Sequence, residues 1–112
     1  DVAQRAERAG FDAVLSSDHL TPWSERQGES GFAWTWLGAL VATTAVPCGV
    51  VTAPGDRYHP AITAQAIATV AELAPGRFIP ALGSGQAMNE HVTGAPWPVK
   101  ATRTRDWPSA ST

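Results

Sequence analysis

Apolar positions along the chain alternate between helical spacing and short continuous runs. The helical spacing predicts helices over residues 2–9, 32–43, 60–73 and 86–92, and the apolar runs predict strands over residues 11–16, 46–52 and 77–82. Gly10 supplies the left-handed residue that commonly closes a helix. Pro60 suits a first helical position, where its missing N–H costs nothing, and His59 before it is expected to help start that helix. The predicted order is α-β-α-β-α-β-α.

The repeat length narrows the fold class to α/β with parallel strands. The strand centres near Val14, Cys48 and Ile79 are 34 and 31 residues apart, and one βα unit of an eightfold barrel takes roughly 31 residues. Alternating units imply parallel strands joined by right-handed helical crossovers. An open doubly wound sheet gives the same alternation, so spacing alone leaves both architectures open. Three strands cannot close a barrel, and about three βα units amount to a partial (β/α)8 TIM barrel.

The alternating pattern covers most of the chain but not its last residues. Residues 1–94 carry the alternating pattern and form one partial domain, whereas residues 95–112 show no periodicity and are expected to be an irregular, truncated or divergent tail. The chain opens at Asp1 directly on a helical pattern, which predicts that it is cut from a longer protein. Such a piece is expected to leave edge strands unpaired and part of its core exposed.

Composition excludes several classes of partner. The chain has 112 residues, 44% apolar, with net charge −2, which is typical of a globular protein. Lys100 is its only lysine, and without a basic stripe no nucleic-acid partner is expected. The single Cys48 forms no intrachain disulfide, which favours a cytoplasmic location. The longest apolar stretch, residues 37–51, is too interrupted for a membrane span. The three histidines have no metal-site spacing.

Candidate chemistry gathers where each predicted strand ends. Ser17-Asp18-His19 follows the first strand, residues 52–55 the second, and Gly83-Ser84-Gly85-Gln86 the third. Ligands of parallel α/β folds bind at these strand ends. His19 is the leading candidate because imidazole donates or accepts a proton near neutral pH. The alternative, that Asp18 and His19 only terminate the strand, stays open. Trp23 offers a flat wall for a planar ring, or packs against the body of the protein.

Several motifs in register resemble one known family over about residues 3–103. They are Ser17-Asp18-His19, Pro22-Trp23, Arg57-Tyr58-His59-Pro60, Pro75-Gly76-Arg77-Phe78, Gly83-Ser84-Gly85-Gln86-Ala87-Met88-Asn89-Glu90 and Trp97-Pro98. Together they resemble the bacterial luciferase-like monooxygenase superfamily, in its branch of F420-dependent glucose-6-phosphate dehydrogenases and related flavin oxidoreductases. The resemblance implies a (β/α)8 barrel that binds coenzyme F420 or FMN and transfers a hydride to or from a small-molecule substrate.

The resemblance also implies roles for particular residues. His19 and Gln86 take the catalytic positions, and Trp23 borders the substrate. The cofactor-binding positions are Asp18, Val50, Val51, Gly85 and Asn89. Val50-Val51 matches a strand-end bulge behind the ring, where the family often has a non-proline cis peptide. No metal ligand is implied, and a homodimeric parent is one expected assembly.

Two departures from the family pattern affect the expected activity. Gln86 stands where the sugar-phosphate dehydrogenases carry an acid/base Glu, and an amide cannot exchange a proton in that role. Ala53 stands where those enzymes have Thr. An FMN-using or otherwise divergent oxidoreductase, with or without molecular oxygen as a reactant, therefore fits as well as a sugar-phosphate dehydrogenase. An inactive remnant and a small α/β binding module without cofactor stay open as alternatives.

Overall fold

A computed structural model describes residues 2–55 and 57–104 of the chain. Its three strands are β1 (Val14–Ser17), β2 (Cys48–Thr52) and β3 (Phe78–Leu82). Its helices are α1 (Val2–Arg8), α2 (Ala33–Thr43), α3 (Pro60–Leu73), α4 (Ala87–Glu90) and α5 (Lys100–Arg103), with a 3-10 turn at His91–Thr93. None of the helices in these two ranges has the length and apolar character needed to cross a membrane.

The strands form one parallel sheet in the order β1-β2-β3. Val14 lies opposite Cys48, and Cys48 lies opposite Phe78. Neighbours in sequence are therefore neighbours in the sheet, as in successive units of a barrel. The α/β class with parallel strands is confirmed, and the sheet is consistent with a partial TIM barrel.

The core lies between one face of this sheet and the helices. Side chains alternate across a strand, and the Cys48, Val50 and Thr52 side chains of β2 are all buried. Leu37 and Leu40 of α2 are fully buried and belong to the same cluster as Cys48 and Val50. This packing covers one face of the sheet and leaves the other face exposed.

The opposite face of the sheet is apolar and open. Leu15, Val51 and Ile79 are 70%, 50% and 66% exposed, one from each strand. Within the described ranges β1 and β3 each pair only with β2. Unpaired strand edges and an exposed apolar surface were expected, and both are found in the described ranges. In a closed barrel the same face of the sheet is the packed interior.

The predicted elements differ from the observed ones mainly at their ends. The first strand begins at Val14, because its pairing starts where Val14 N–H donates to Pro47 O. The helix over residues 60–73 is found at its predicted bounds, and the His59 ring accepts a hydrogen bond from Ala61 N–H, as expected of a residue that starts a helix.

The segment predicted as an irregular tail contains one helical turn. Helix α5 lies at residues 100–103 and is held by Arg103, which donates hydrogen bonds to Ser84 O and Pro98 O and lies over the Trp97 ring. Four residues are too few to give a helical period, so the pattern could not predict it. Residues 105–112 of the predicted tail lie outside the described residues.

Candidate functional site

A cavity of about 280 Å³ lies at the carboxyl ends of the three strands. It brings together seven of the eight residues that the sequence singled out: Asp18, His19, Trp23, Val51, Gly85, Gln86 and Asn89. These residues are up to 71 positions apart in sequence. They meet because parallel strands end at one edge of the sheet.

Val50 is the exception, and its expected bulge is absent. Val50 and Val51 pair in regular register with both neighbouring strands, and no cis peptide bond occurs in the described chain. Without a bulge the two side chains point to opposite faces. Val51 reaches the cavity, whereas Val50 is buried against the helices. The bulge expected at Val50-Val51 from the resemblance is therefore wrong, and Val50 lies away from the cavity.

The Asp18 carboxylate is bound by the protein rather than open to the cavity. It accepts hydrogen bonds from Thr52 Oγ1 at 2.8 Å and from Tyr58 OH at 3.1 Å. Arg57 pairs with it at 3.4 Å, and the Asp18 side chain is only 1% exposed. These partners use both carboxylate oxygens. Asp18 thus stands at the cavity wall as the centre of a buried polar network.

Arg57 connects that network to a second buried carboxylate. Its backbone N–H donates to Glu90 Oε2 at 2.6 Å, and Glu90 is buried. Its guanidinium lies over the Tyr58 ring and also donates to Asp18 O. A buried charge is stable only when it is paired and hydrogen-bonded. Arg57 therefore contacts both of the buried acidic side chains that line the cavity.

The phenol of Tyr58 is a permanent donor to this network. Burial, followed by the negative charge of Asp18, raises the pKa of Tyr58 to about 12. The hydroxyl stays protonated at neutral pH and can keep donating to Asp18 Oδ1. The sequence pattern did not single out Arg57, Thr52, Tyr58 or Glu90 individually. Thr52 entered only as part of a strand-end segment, and Arg57, Tyr58 and Glu90 only as members of longer motifs that carry the family resemblance.

His19 is held through its backbone and one edge of its ring. Its backbone N–H donates to Ser17 O, and its carbonyl accepts from Ser30 Oγ at 2.7 Å. Its ring lies 4.6 Å from the Trp23 ring at an interplanar angle of 43°. Its Nδ1 lies 3.4 Å from Asn89 Nδ2. The sequence predicted His19 and Trp23 separately, and the fold joins them into one aromatic wall of the cavity.

The loop after β3 presents backbone to the cavity. Gly83 N–H donates to Thr52 O, which continues the β2–β3 pairing. Gly85 has φ +81°, and a Cβ there would lie 3.1 Å from the Trp97 ring. Gln86 follows at the N-cap of α4 without a side-chain capping bond and lines the cavity. The loop is therefore shaped by glycine at a position that a larger residue cannot occupy without strain.

We expect Gly85→Ala to lower the free energy of unfolding by about 1–3 kcal/mol, because it forces a positive φ on alanine and presses on Trp97. Gly83→Ala is the matched control: its nearest atom is Thr52 O at 3.8 Å, and its φ is not in the left-handed region. Urea unfolding of both variants measures the difference. Equal losses would show that the shape of the loop does not depend on Gly85.

The described ranges contain no group of three His, Cys, Asp or Glu residues that could hold a metal ion. The cavity is lined by the His19 imidazole, the Trp23 indole tilted against it, the amides of Gln86 and Asn89, and the loop after β3. The buried ionic groups of Asp18, Arg57 and Glu90 lie in its wall. Such a set suits a flat organic ligand with a few hydrogen-bonding edges.

The sequence model of the luciferase-like monooxygenase family matches residues 1–110 of the chain. The chain belongs to this family. The strand-end cavity and the parallel sheet are therefore features of a luciferase-like protein, and the resemblance noted from the motifs is confirmed.

Individual luciferase-like relatives are close in sequence. An F420-dependent glucose-6-phosphate dehydrogenase of Beutenbergia cavernae is 52% identical over 95 residues, which is 83% of this chain and 28% of the relative. One from Intrasporangium calvum is 47% identical over 103 residues, 88% of this chain and 31% of the relative. An F420-dependent hydroxymycolic acid dehydrogenase of Mycobacterium tuberculosis is 50% identical over 93 residues, 80% of this chain and 26% of the relative. The chain spans less than a third of these relatives.

Proposed function

We propose that the chain forms the cofactor-binding mouth of an F420-dependent oxidoreductase, in which a hydride passes between the deazaflavin ring and a small organic substrate. The observation that carries this proposal is that relatives with different substrates share the cofactor. A glucose-6-phosphate dehydrogenase and a hydroxymycolic acid dehydrogenase are both named as F420-dependent, at 52% and 50% identity. FMN is the second candidate cofactor, and no named relative above supports it.

The residues of the cavity fit a planar ring. His19 and Trp23 supply an aromatic wall, and Gly83 and Gly85 add two positions without side chains in the loop after β3. The exposed Val51 side chain lies at the end of β2 between them. At about 280 Å³ the cavity is smaller than most whole-ligand pockets, which suits the ring portion of the cofactor with the rest extending outward.

When bound, the deazaflavin would accept or deliver the hydride. The chain's own residues position the substrate beside it. Trp23 would border the substrate, and His19 would contact its reacting oxygen. Gln86 can orient a polar group through its amide but cannot exchange a proton, because an amide does not titrate in water. We therefore place substrate binding, and no acid/base step, on Gln86.

The exposed face of the sheet supports the proposal that the chain is part of a barrel. Leu15, Val51 and Ile79 form an apolar surface that a closed barrel would cover. Further strands would also pair the open edges of β1 and β3. On this proposal the complete activity needs the rest of the barrel, and the residues proposed to contact the substrate form one side of the site. An inactive remnant, the competing hypothesis, shares the fold but lacks cofactor binding.

A fluorescence titration of the purified chain with coenzyme F420, and separately with FMN, tests the proposal. We expect saturable binding of F420 and weaker binding of FMN. His19→Ala should weaken F420 binding by roughly tenfold, because it removes one ring of the aromatic wall. His91→Ala is the matched control, since His91 is exposed and does not line the cavity.

The possible outcomes separate the hypotheses. Saturable F420 binding that weakens only with His19→Ala supports a cofactor mouth at this cavity. Tighter binding of FMN would overturn the choice of cofactor. Absence of binding to either compound, in a sample with a cooperative thermal melt, would favour the inactive remnant or the binding module without cofactor.

A further inference from the structure

The orientation of the Asn89 side chain is fixed by a backbone donor. Asn89 Oδ1 accepts a hydrogen bond from Leu20 N–H at 2.9 Å. A backbone N–H can only donate, so the oxygen of the amide must face Leu20. The NH₂ end then faces His19 Nδ1, at 3.4 Å. Asn89 is itself buried, so few alternative arrangements are open to it.

This orientation decides where His19 carries its proton. An amide NH₂ group donates and does not accept. His19 Nδ1 can therefore bond to it only when that nitrogen is unprotonated. The neutral ring must then carry its proton on Nε2, and protonation of Nδ1 would set two donors against each other. Nε2 has no hydrogen-bond partner within residues 2–55 and 57–104, and His19 lines the cavity.

We infer that Asn89 is a positioning residue that holds His19 as its Nε2–H tautomer, so that His19 meets a ligand oxygen as a hydrogen-bond donor. The suited ligand group is an acceptor, such as a carbonyl or hydroxyl oxygen of the substrate. His19 cannot act as a base through Nε2 while it is held in this form. The identity of the ligand rests on the proposed function, but the tautomer does not.

Nuclear magnetic resonance of the chain labelled with ¹⁵N-histidine tests the tautomer directly. Long-range ¹⁵N–¹H correlations identify which ring nitrogen is protonated, and His19→Gln assigns the signals of His19. The measurement is made in alkaline buffer, and the ratio of the two neutral tautomers is read from the correlations. We expect His19 to be protonated on Nε2. A dominant Nδ1–H form would overturn the inference.

The decisive variant is Asn89→Asp, because an unconstrained imidazole also populates the Nε2–H form. The new carboxylate keeps an acceptor for Leu20 N–H but replaces the donor at His19 with a second acceptor. We expect the protonated nitrogen to switch to Nδ1, with a change of roughly tenfold or more in the tautomer ratio, as for a hydrogen bond to a charged group. An unchanged ratio in a folded sample would overturn the inference.

Two further variants control for the added charge and for a failure of Asn89→Asp to fold. Gln86→Glu adds the same charge to the same cavity, and in the described chain Gln86 has no hydrogen bond to His19. It should leave the tautomer unchanged, and a switch would show that charge alone moves the proton. Asn89→Ala removes the donor, so the Nδ1–H form should become detectable. This variant gives an independent test if Asn89→Asp does not fold.

An F420 titration of the same samples separates this inference from the proposed function. An Asn89-dependent tautomer without F420 binding would support the positioning role and contradict the proposed cofactor. F420 binding with a tautomer insensitive to Asn89 would contradict the positioning role and leave the cofactor proposal standing.

Discussion

Replacing Asp18 with Asn is expected to lower the free energy of unfolding by about 3–5 kcal/mol, the usual cost of removing one partner of a buried ion pair. Asp18 is 1% exposed and Arg57 is 9% exposed, so neither charge can turn to water without a change in structure. In the variant the Arg57 guanidinium stays buried without its counter-charge. Urea unfolding followed by circular dichroism measures the loss.

Two comparisons show whether the charge is the cause. Tyr58→Phe removes one neutral donor from the same carboxylate and should cost only about 0.5–1.5 kcal/mol. Combining Asp18→Asn with Arg57→Met removes both charges, so the double variant should be less destabilised than the sum of the two single variants. If Asp18→Asn costs no more than Tyr58→Phe, the ion pair contributes nothing beyond a neutral hydrogen bond.

Replacing Gly49 with Ala is expected to destabilise the chain by about 3 kcal/mol, at the upper end for an added methyl group in a packed site. A Cβ at this position would lie 2.6 Å from Leu15 Cδ2 and 2.7 Å from Ile79 O. The Leu15 side chain can rotate away. The Ile79 carbonyl belongs to the backbone of β3, so it cannot move without distorting the pairing of β2 with β3.

Gly38→Ala is the matched control for that variant. Gly38 lies within α2, and a Cβ there meets nothing within 4 Å. Alanine has the better helix propensity, so this variant should gain roughly 0.5–1 kcal/mol. Thermal melts of both variants should therefore shift in opposite directions. A similar shift for both would show that the close approach at Gly49 does not constrain the sheet.

The candidate site was partly predictable because its residues follow strand ends. Asp18, His19 and Gly85 stand where polar or glycine residues interrupt apolar runs, and that position alone places them at one edge of a parallel sheet. Val50 and Val51 could not be separated in the same way. A one-residue difference in register reverses which side chain faces the cavity, and the family expectation of a bulge does not hold here.

Some residues of the site depend on contacts with partners that are distant in sequence. Arg57 pairs with Asp18 across 39 positions and meets Glu90 across 33. A charged residue in a loop is usually solvated, and nothing local distinguishes one that is buried in a pair. The same limit applies to Asn89, whose amide orientation depends on Leu20, 69 positions away.

The sequence by itself determined the α/β class, the order of the main helices and strands and the parallel direction of the strands, because apolar periodicity and glycine or proline breaks are local properties of the chain. The family came from the resemblance of several short motifs, which can also be identified without the fold. The tertiary structure alone decided which side chains are buried in pairs, which face of β2 serves the cavity and which nitrogen of His19 faces Asn89. Those features depend on contacts between segments dozens of residues apart, and hydrogen-bond directions exist only once the backbone has placed each donor against its acceptor.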